Sequence, residues 1–220
     1  MLDTLRAFLA DSRWLVRLGL IAGAVLVVVS ALALGGWAWW QNQQAQGAMA
    51  LAAATELAQG AQAPGAAPAA RATAIEALEA VIAQHPRYAG VPQAAYRLGN
   101  LRYAAGEYAA ARGAYQVALA QGARGTIRTL AAVGIGYTWE AERDLAKAQT
   151  AYEAALAGLG PRDFLYEGIL LDLARVQEFG GRRDAAIKTY QRLLKDVPDS
   201  RRGDDVRTRI ASLQSSPAKP

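Results

Sequence analysis

Residues 18–40 read LGLIAGAVLVVVSALALGGWAWW, 23 consecutive positions with no charge and with Ser30 as the single polar side chain. No other feature limits the chain so strongly. At about 1.5 Å of rise per residue the run spans roughly 34 Å, against a hydrocarbon core of about 30 Å. A core helix of a soluble domain keeps a polar stripe toward water, and this run has none. Trp14 and Arg17 stand just before it, and Trp37, Trp39 and Trp40 close it, so four of the five tryptophans bracket the segment. Amphipathic rings at both ends are what the two membrane–water interfaces favour. The spacing therefore predicts a transmembrane helix over 18–40, with Trp14, Arg17, Trp37, Trp39 and Trp40 at the membrane interface.

Flanking charge orients this helix. Arg6, Arg13 and Arg17 precede it, whereas after Trp40 the first basic residue is Arg71. The positive-inside rule then makes residues 1–17 a cytoplasmic tail and puts residues 41–220 on the far side of the membrane. Ala31-Leu32-Ala33 also fits a signal-peptidase site. Cleavage there would leave an apolar LGGWAWW start, and the run continues seven residues past the site, which favours an uncleaved anchor. Both alternatives place residues 41–220 in the same compartment.

Composition removes most chemistries. Cysteine is absent and His85 is the one histidine, so disulfides, thiol nucleophiles, Cys- or His-pair metal sites and lipid attachment on cysteine are excluded. His85 precedes Pro86 and reads as a capping or solvated residue. The formal charge is +5, from 20 arginines, 4 lysines and 19 acidic residues. Residues 41–220 carry no dense basic stripe of the kind nucleic-acid binding needs. Gly134-x-Gly136 follows no strand and is no phosphate loop. Glu140, Glu142 and Asp144 read as a solvated helix end. The expectation is a non-enzyme with no metal, no cofactor, no small-molecule substrate and no nucleic-acid partner.

Beyond residue 40 the chain is alanine- and leucine-rich, and it repeats. Stretches starting at Ala95, Ala132 and Leu170 align so that Ala111, Ala148 and Ala186 fall 37 and 38 residues apart, each followed four residues later by Tyr115, Tyr152 or Tyr190. Tyr108, Ala111, Tyr115, Ala118 and Leu119 share one helical face. A small residue there lets a partner helix approach, and the tyrosine fills the groove beyond. Gly99 and Gly136 play the close-approach part in the first helices, with Ala174 in the third. Such a hairpin cannot bury both faces alone, so the units stack.

These residues resemble the tetratricopeptide repeat. The first unit keeps Tyr96, Leu98-Gly99, Tyr103, Gly106, Tyr108, Ala111, Tyr115 and Ala118-Leu119, with Arg102 where the motif usually has an aromatic. The second keeps Ile135-Gly136, Trp139, Leu145, Ala148, Tyr152 and Ala155-Leu156. The third keeps Leu173, Gly181, Ala186, Tyr190, Leu193-Leu194 and Pro198. The expected architecture is all-α: one transmembrane helix, then a helical-hairpin solenoid. Residues 41–91 form a degenerate first hairpin with a mobile linker at 60–70, and 92–200 form three repeats. Residues 201–214 form a capping helix, with Ser200 as its cap, Val206, Ile210 and Leu213 toward the stack and Arg201, Arg202, Arg207 and Arg209 outward. Residues 215–220 form a disordered tail.

The resemblance implies a protein-binding groove lined by the first helices: Tyr96, Asn100 and Tyr103, then Val133, Tyr137 and Glu140, then Leu171, Arg175 and Glu178. Two readings of the tyrosines stand at this point, as a contact surface for a partner or as packing against neighbouring repeats. The carboxylate clamp of some relatives is absent, because Tyr96, Val133 and Leu171 occupy its positions. The order of segments also resembles the bacterial ancillary Sec-translocon subunit family. That resemblance implies a single-pass inner-membrane protein with a periplasmic repeat domain. Its implied partners are translocon subunits, periplasmic chaperones or unfolded polypeptide. A scaffold for cell-division or outer-membrane assembly is the alternative.

Overall fold

The computed structural model describes residues 12–63 and 65–215, and among them are nine α-helices and no strand. Most of the expected N-terminal tail, and residues 216–220 of the expected C-terminal one, lie outside the described residues. The chain divides into two compact units, Met1–Gln46 and Gly47–Pro220.

The described part of the first unit is one helix, α1 (Ser12–Gln62), which continues into the second unit. Over residues 18–40 its large apolar side chains are exposed: Leu20 is 69% exposed, Leu26 67% and Leu32 71%. The helix is long and apolar enough to cross a membrane.

In the second unit the alanine-rich end of α1 pairs with α2 (Pro68–Gln84). Leu51, Ala54, Ala58 and Ala61, at steps of three and four, bury against Ala74, Leu78 and Val81. This buried stripe carries the helix to Gln62, and Pro68 starts α2 with its φ already fixed. The connection is therefore 63–67, shorter than the 60–70 linker read from its glycines and prolines.

Three full hairpins follow: α3 (Val91–Ala104) with α4 (Tyr108–Ala120), α5 (Gly125–Ala141) with α6 (Leu145–Leu156), and α7 (Tyr166–Phe179) with α8 (Arg183–Asp196). α9 (Gly203–Ser215) closes the stack. From α2 onward each helix packs on the next in the chain, α3 also touches α5, and side chains of α5 reach α7 through Tyr137–Asp172 and Glu140–Arg175.

The small-plus-tyrosine pattern explains the packing. Ala111, Ala148 and Ala186 are all fully buried, and Tyr115, Tyr152 and Tyr190 lie beside them at 3%, 0% and 7% exposure. A methyl group on Gly136 would stand 2.7 Å from Tyr152 Cδ1, and one on Gly99 2.6 Å from Tyr115 Cδ1. Tyr115 is wedged a second time, because a methyl on Gly134 of the next hairpin would meet its Cζ at 2.6 Å. The sequence reading had no role for Gly134; its glycine lets the first and second repeats close on one ring.

The hairpin turns repeat as well. Gly106 (φ 80°), Arg143 (φ 64°) and Gly181 (φ 72°) are left-handed at equivalent places. After each, the next amide reaches back five residues: Glu107 N–H to Arg102 O at 2.9 Å, Asp144 to Trp139 at 2.9 Å and Arg182 to Gln177 at 2.8 Å. This is the Schellman arrangement that satisfies the last carbonyls of a helix. Arg143 is the one of the three that pays for it sterically. Arg143→Gly is expected to stabilise the repeat unit by about 1 kcal/mol, a rise of about 2–4 °C in Tm for a unit of this size, measured by thermal unfolding.

The acidic cluster read as a solvated helix end is instead shared among three neighbours. Glu142 pairs with Arg112 at 2.8 Å, and Asp144 caps α6 by accepting the Lys147 N–H at 3.1 Å. Glu140 pairs with Arg175. Arg112 lies 3.5 Å from the Trp139 ring centroid and Lys147 4.3 Å, so two cations hold the indole where α4, α5 and α6 meet. Arg102, the departure from the motif, pairs with Glu79 of α2 and with Glu107 of its own turn.

At the C-terminal end Val206 is buried, and Ile210 and Leu213 pack on the same core, as their spacing predicts. Ser200 differs from expectation. Its hydroxyl accepts from the Arg202 N–H at 3.1 Å and donates to Glu167 at 2.7 Å, so it closes the turn before α9, and Arg201 and Arg202 precede the helix. Arg209 is held by Glu178 of α7.

Candidate functional site: the groove of the first helices

α3, α5 and α7 present their exposed faces side by side, and two hollows open along them. The first, of about 160 Å³, is lined by Tyr96, Asn100 and Tyr115, by Leu130, Val133, Gly134 and Tyr137, and by Leu165, Gly168, Ile169 and Asp172. The second, of about 400 Å³, is lined by Tyr103, Tyr137, Glu140, Ala141, Arg143, Leu145, Arg175 and Phe179. Tyr137 belongs to both, so the hollows form one trough.

Helical spacing places these residues. Tyr96, Asn100 and Tyr103 are four and three apart on α3, and Val133, Tyr137 and Glu140 repeat that step on α5. Seven of the nine groove residues expected from sequence line the trough. Leu171 packs on the C-terminal core and Glu178 is occupied by Arg209, so neither lines a hollow. Val133 is 6% exposed and serves as floor.

The tyrosines divide into a buried set and an exposed set. Tyr115 and Tyr152 are the buried wedges. Tyr103 and Tyr137 are 36% and 37% exposed and face the trough. Their rings join a ladder: Tyr108 to Tyr103 at 5.4 Å, Tyr103 to Tyr137 at 6.5 Å, and Tyr137 edge-on to Tyr152 at 5.8 Å between centroids. Tilted and edge-on contacts of this kind are favourable ring geometries. The ladder crosses from one repeat to the next, giving a stiff aromatic floor.

A polar network borders this floor. Tyr137 Oη donates to Asp172 Oδ2 at 2.8 Å, and Tyr152 Oη donates to Glu140 Oε2 at 2.9 Å. Arg175 bridges the two carboxylates, donating to Asp172 Oδ1 at 2.7 Å and pairing with Glu140. At the other end Tyr115 Oη donates to Asn100 Oδ1 at 2.7 Å. Burial raises the Asp172 carboxyl above its ordinary range, offset in part by the Tyr137 hydroxyl and by Arg202. Burial, then the charge of Asp172, pushes Tyr137 up to about 12, and burial likewise raises Tyr115 and Tyr152. All three tyrosines are therefore neutral donors at physiological pH.

Asp172, Phe179 and Gly168 were missed from sequence. Phe179 is 59% exposed at the trough wall, and a methyl on Gly168 would meet nothing within 4 Å. Gly168, Asp172 and Arg175 repeat the four-and-three step on α7 and Phe179 follows four residues later, so setting the register at Gly168 instead of Leu171 would have found all three. His85 closes α2 with its backbone N–H on Val81 O at 3.0 Å and lies outside both hollows.

Stacked antiparallel hairpins with a small residue facing a tyrosine in each define a helical-repeat solenoid of the tetratricopeptide type. Residues 169–200, comprising most of α7, all of α8 and the turn after it, match the tetratricopeptide repeat family model. The chain is also similar to the crystal structure of TTC0263, a thermophilic TPR protein in Thermus thermophilus. That likeness has 19% identity, covers 79% of this chain and 98% of that one, and has a TM-score of 0.32. No curated protein matches this chain. The matched repeat implies a protein–protein interaction module.

Proposed function

We propose that this protein is a membrane-tethered protein-binding module on the periplasmic face of a bacterial inner membrane, an accessory to protein translocation or periplasmic chaperoning. The trough carries this reading. Exposed Tyr103, Tyr137 and Phe179 supply contact area at small entropic cost, on a floor held rigid by the ring ladder. Tyr137, Tyr152, Glu140, Asp172 and Arg175 are bonded to one another in a single network. The uncovered apolar stretch of α1 supports the tether, and the arginines before it support the orientation. A tether confines the groove near the bilayer and raises its effective concentration toward proteins emerging there. The place beside the translocon rests on the layout that the chain shares with the ancillary Sec-translocon subunits.

Photoreactive residues at positions 103 and 137 are expected to crosslink polypeptide in intact membranes. Gly168→Leu fills the smaller hollow with a helix-favouring side chain whose Cβ meets nothing within 4 Å. It is expected to leave the melting temperature unchanged or higher while lowering adduct yield on the order of tenfold. Absence of protein adducts at both positions would defeat the proposal. Adducts with division or outer-membrane assembly proteins, in place of translocon and chaperones, would move the protein to the scaffold role.

A further inference from the structure

Taking the groove as a polypeptide site, we propose that it runs beyond the trough into a third hollow beside Phe164, which holds an apolar side chain of the same bound segment. This hollow, of about 550 Å³, lies between the α6–α7 connection (157–165) with the first turn of α7 on one side and the α8–α9 turn (197–202) on the other. Phe164, Leu165 and Val197 supply its apolar wall. Leu165 and Gly168 line both this hollow and the smaller hollow of the trough, just as Tyr137 lines the smaller and the larger one. A methyl on Gly168 would meet nothing within 4 Å, so the junction is open and the three hollows follow one another along a single path.

Phe164 is 95% exposed, against 59% for Phe179 and 37% for Tyr137. A scattered apolar side chain at a surface needs no explanation, but this ring borders a hollow that continues the groove, with Leu165 and Val197 beside it. Its connection is also bonded to itself. Asp163 Oδ2 accepts the Gly160 N–H at 2.6 Å, the Asp163 N–H donates to Gly160 O at 2.9 Å, and the Tyr166 N–H donates to Asp163 O at 3.0 Å. This closed turn presents the ring to water. The opposite wall is tied in as well, because Ser200 Oγ donates to Glu167 of α7 at 2.7 Å. Walls ordered before a partner arrives lose little entropy on binding.

The lining decides the class of side chain. Its charged residues are Glu167 and Asp199 against Arg201 and Arg202, two of each sign, so net charge favours neither an acidic nor a basic occupant. An apolar occupant covers the Phe164 ring and removes apolar area from water on both partners. An aromatic one adds ring-to-ring contact. The groove reading by itself accepts any extended polypeptide; the third hollow adds a preference for segments with a second apolar residue on the side that faces the groove.

The experiment uses the full-length protein in detergent and fluorescein-labelled Ala/Ser peptides of about twelve residues, read by anisotropy. One peptide carries a single phenylalanine. Three carry a pair, placed two, four or six positions apart so that both rings lie on one side of an extended chain. One or more of the paired peptides is expected to bind about three- to tenfold tighter than the single one. Phe164→Ser removes a ring that is 95% exposed, so the Tm is expected to stay unchanged while the advantage of the pair falls to about one. No advantage at any spacing, or an advantage that survives Phe164→Ser, overturns the third hollow and leaves the groove reading in place. Failure of every peptide to bind removes both.

Discussion

Tyr152→Ala is expected to lower the stability of the repeat unit by about 3–5 kcal/mol, the largest loss from any single side chain in the stack. The ring is fully buried, faces Gly136 of its own hairpin, meets Tyr137 edge-on and donates to Glu140. The backbone at Gly136 cannot move in to fill the space without unseating α5 from α6. Tyr152→Phe keeps the wedge and loses only the hydroxyl bond, at a cost of about 1–2 kcal/mol. Chemical denaturation followed by circular dichroism separates the two. If alanine costs no more than phenylalanine, the ring is not the wedge described here. Tyr137 and Glu140 both lean on Tyr152, so the alanine variant is also expected to weaken polypeptide capture beyond its effect on folding.

A chain lacking residues 1–40 is expected to pass wholly from the membrane fraction to the soluble fraction, with an unchanged repeat-unit Tm. The full chain is expected to resist alkaline carbonate and to leave membranes only with detergent. Twenty-three uncharged positions give a span that interfacial adsorption does not match. The buried core of the second unit begins at Leu51, past the deleted residues. Recovery of the full chain in the soluble fraction would refute the anchor. The mass of the membrane-extracted protein decides the remaining alternative, because cleavage after Ala33 leaves a chain starting at Leu34.

Local and periodic features were legible in the sequence. The uncharged run, the 37- and 38-residue spacing, the Gly99 and Gly136 approaches and the buried face of α9 each follow from residues a few positions apart, or from their recurrence. The trough was half legible, since the helical step on α3 and α5 identified its tyrosines. What escaped depends on pairs distant in sequence. Nothing near Asp172 announces that Tyr137, 35 residues earlier, donates to it, or that Arg175 joins it to Glu140. The same holds for Glu142 and Arg112, 30 residues apart, whose pairing turned an acidic patch that looked solvated into an inter-repeat contact. Arg143 is different. Its left-handed backbone was recoverable, because it falls where the neighbouring repeats have Gly106 and Gly181, but only once the turn is recognised as requiring that conformation.

The three matching turns bear on how such a chain changes length. Each hairpin carries its own turn signal and its own wedge, so a copied block of about 37 residues brings everything needed to seat itself between two others. In-frame duplication would extend the trough by one rung without redesigning either end, and deletion of one block would shorten it likewise. The number of repeats is thus a quantity that recombination can adjust in whole steps, while the anchor and the closing helix stay as they are.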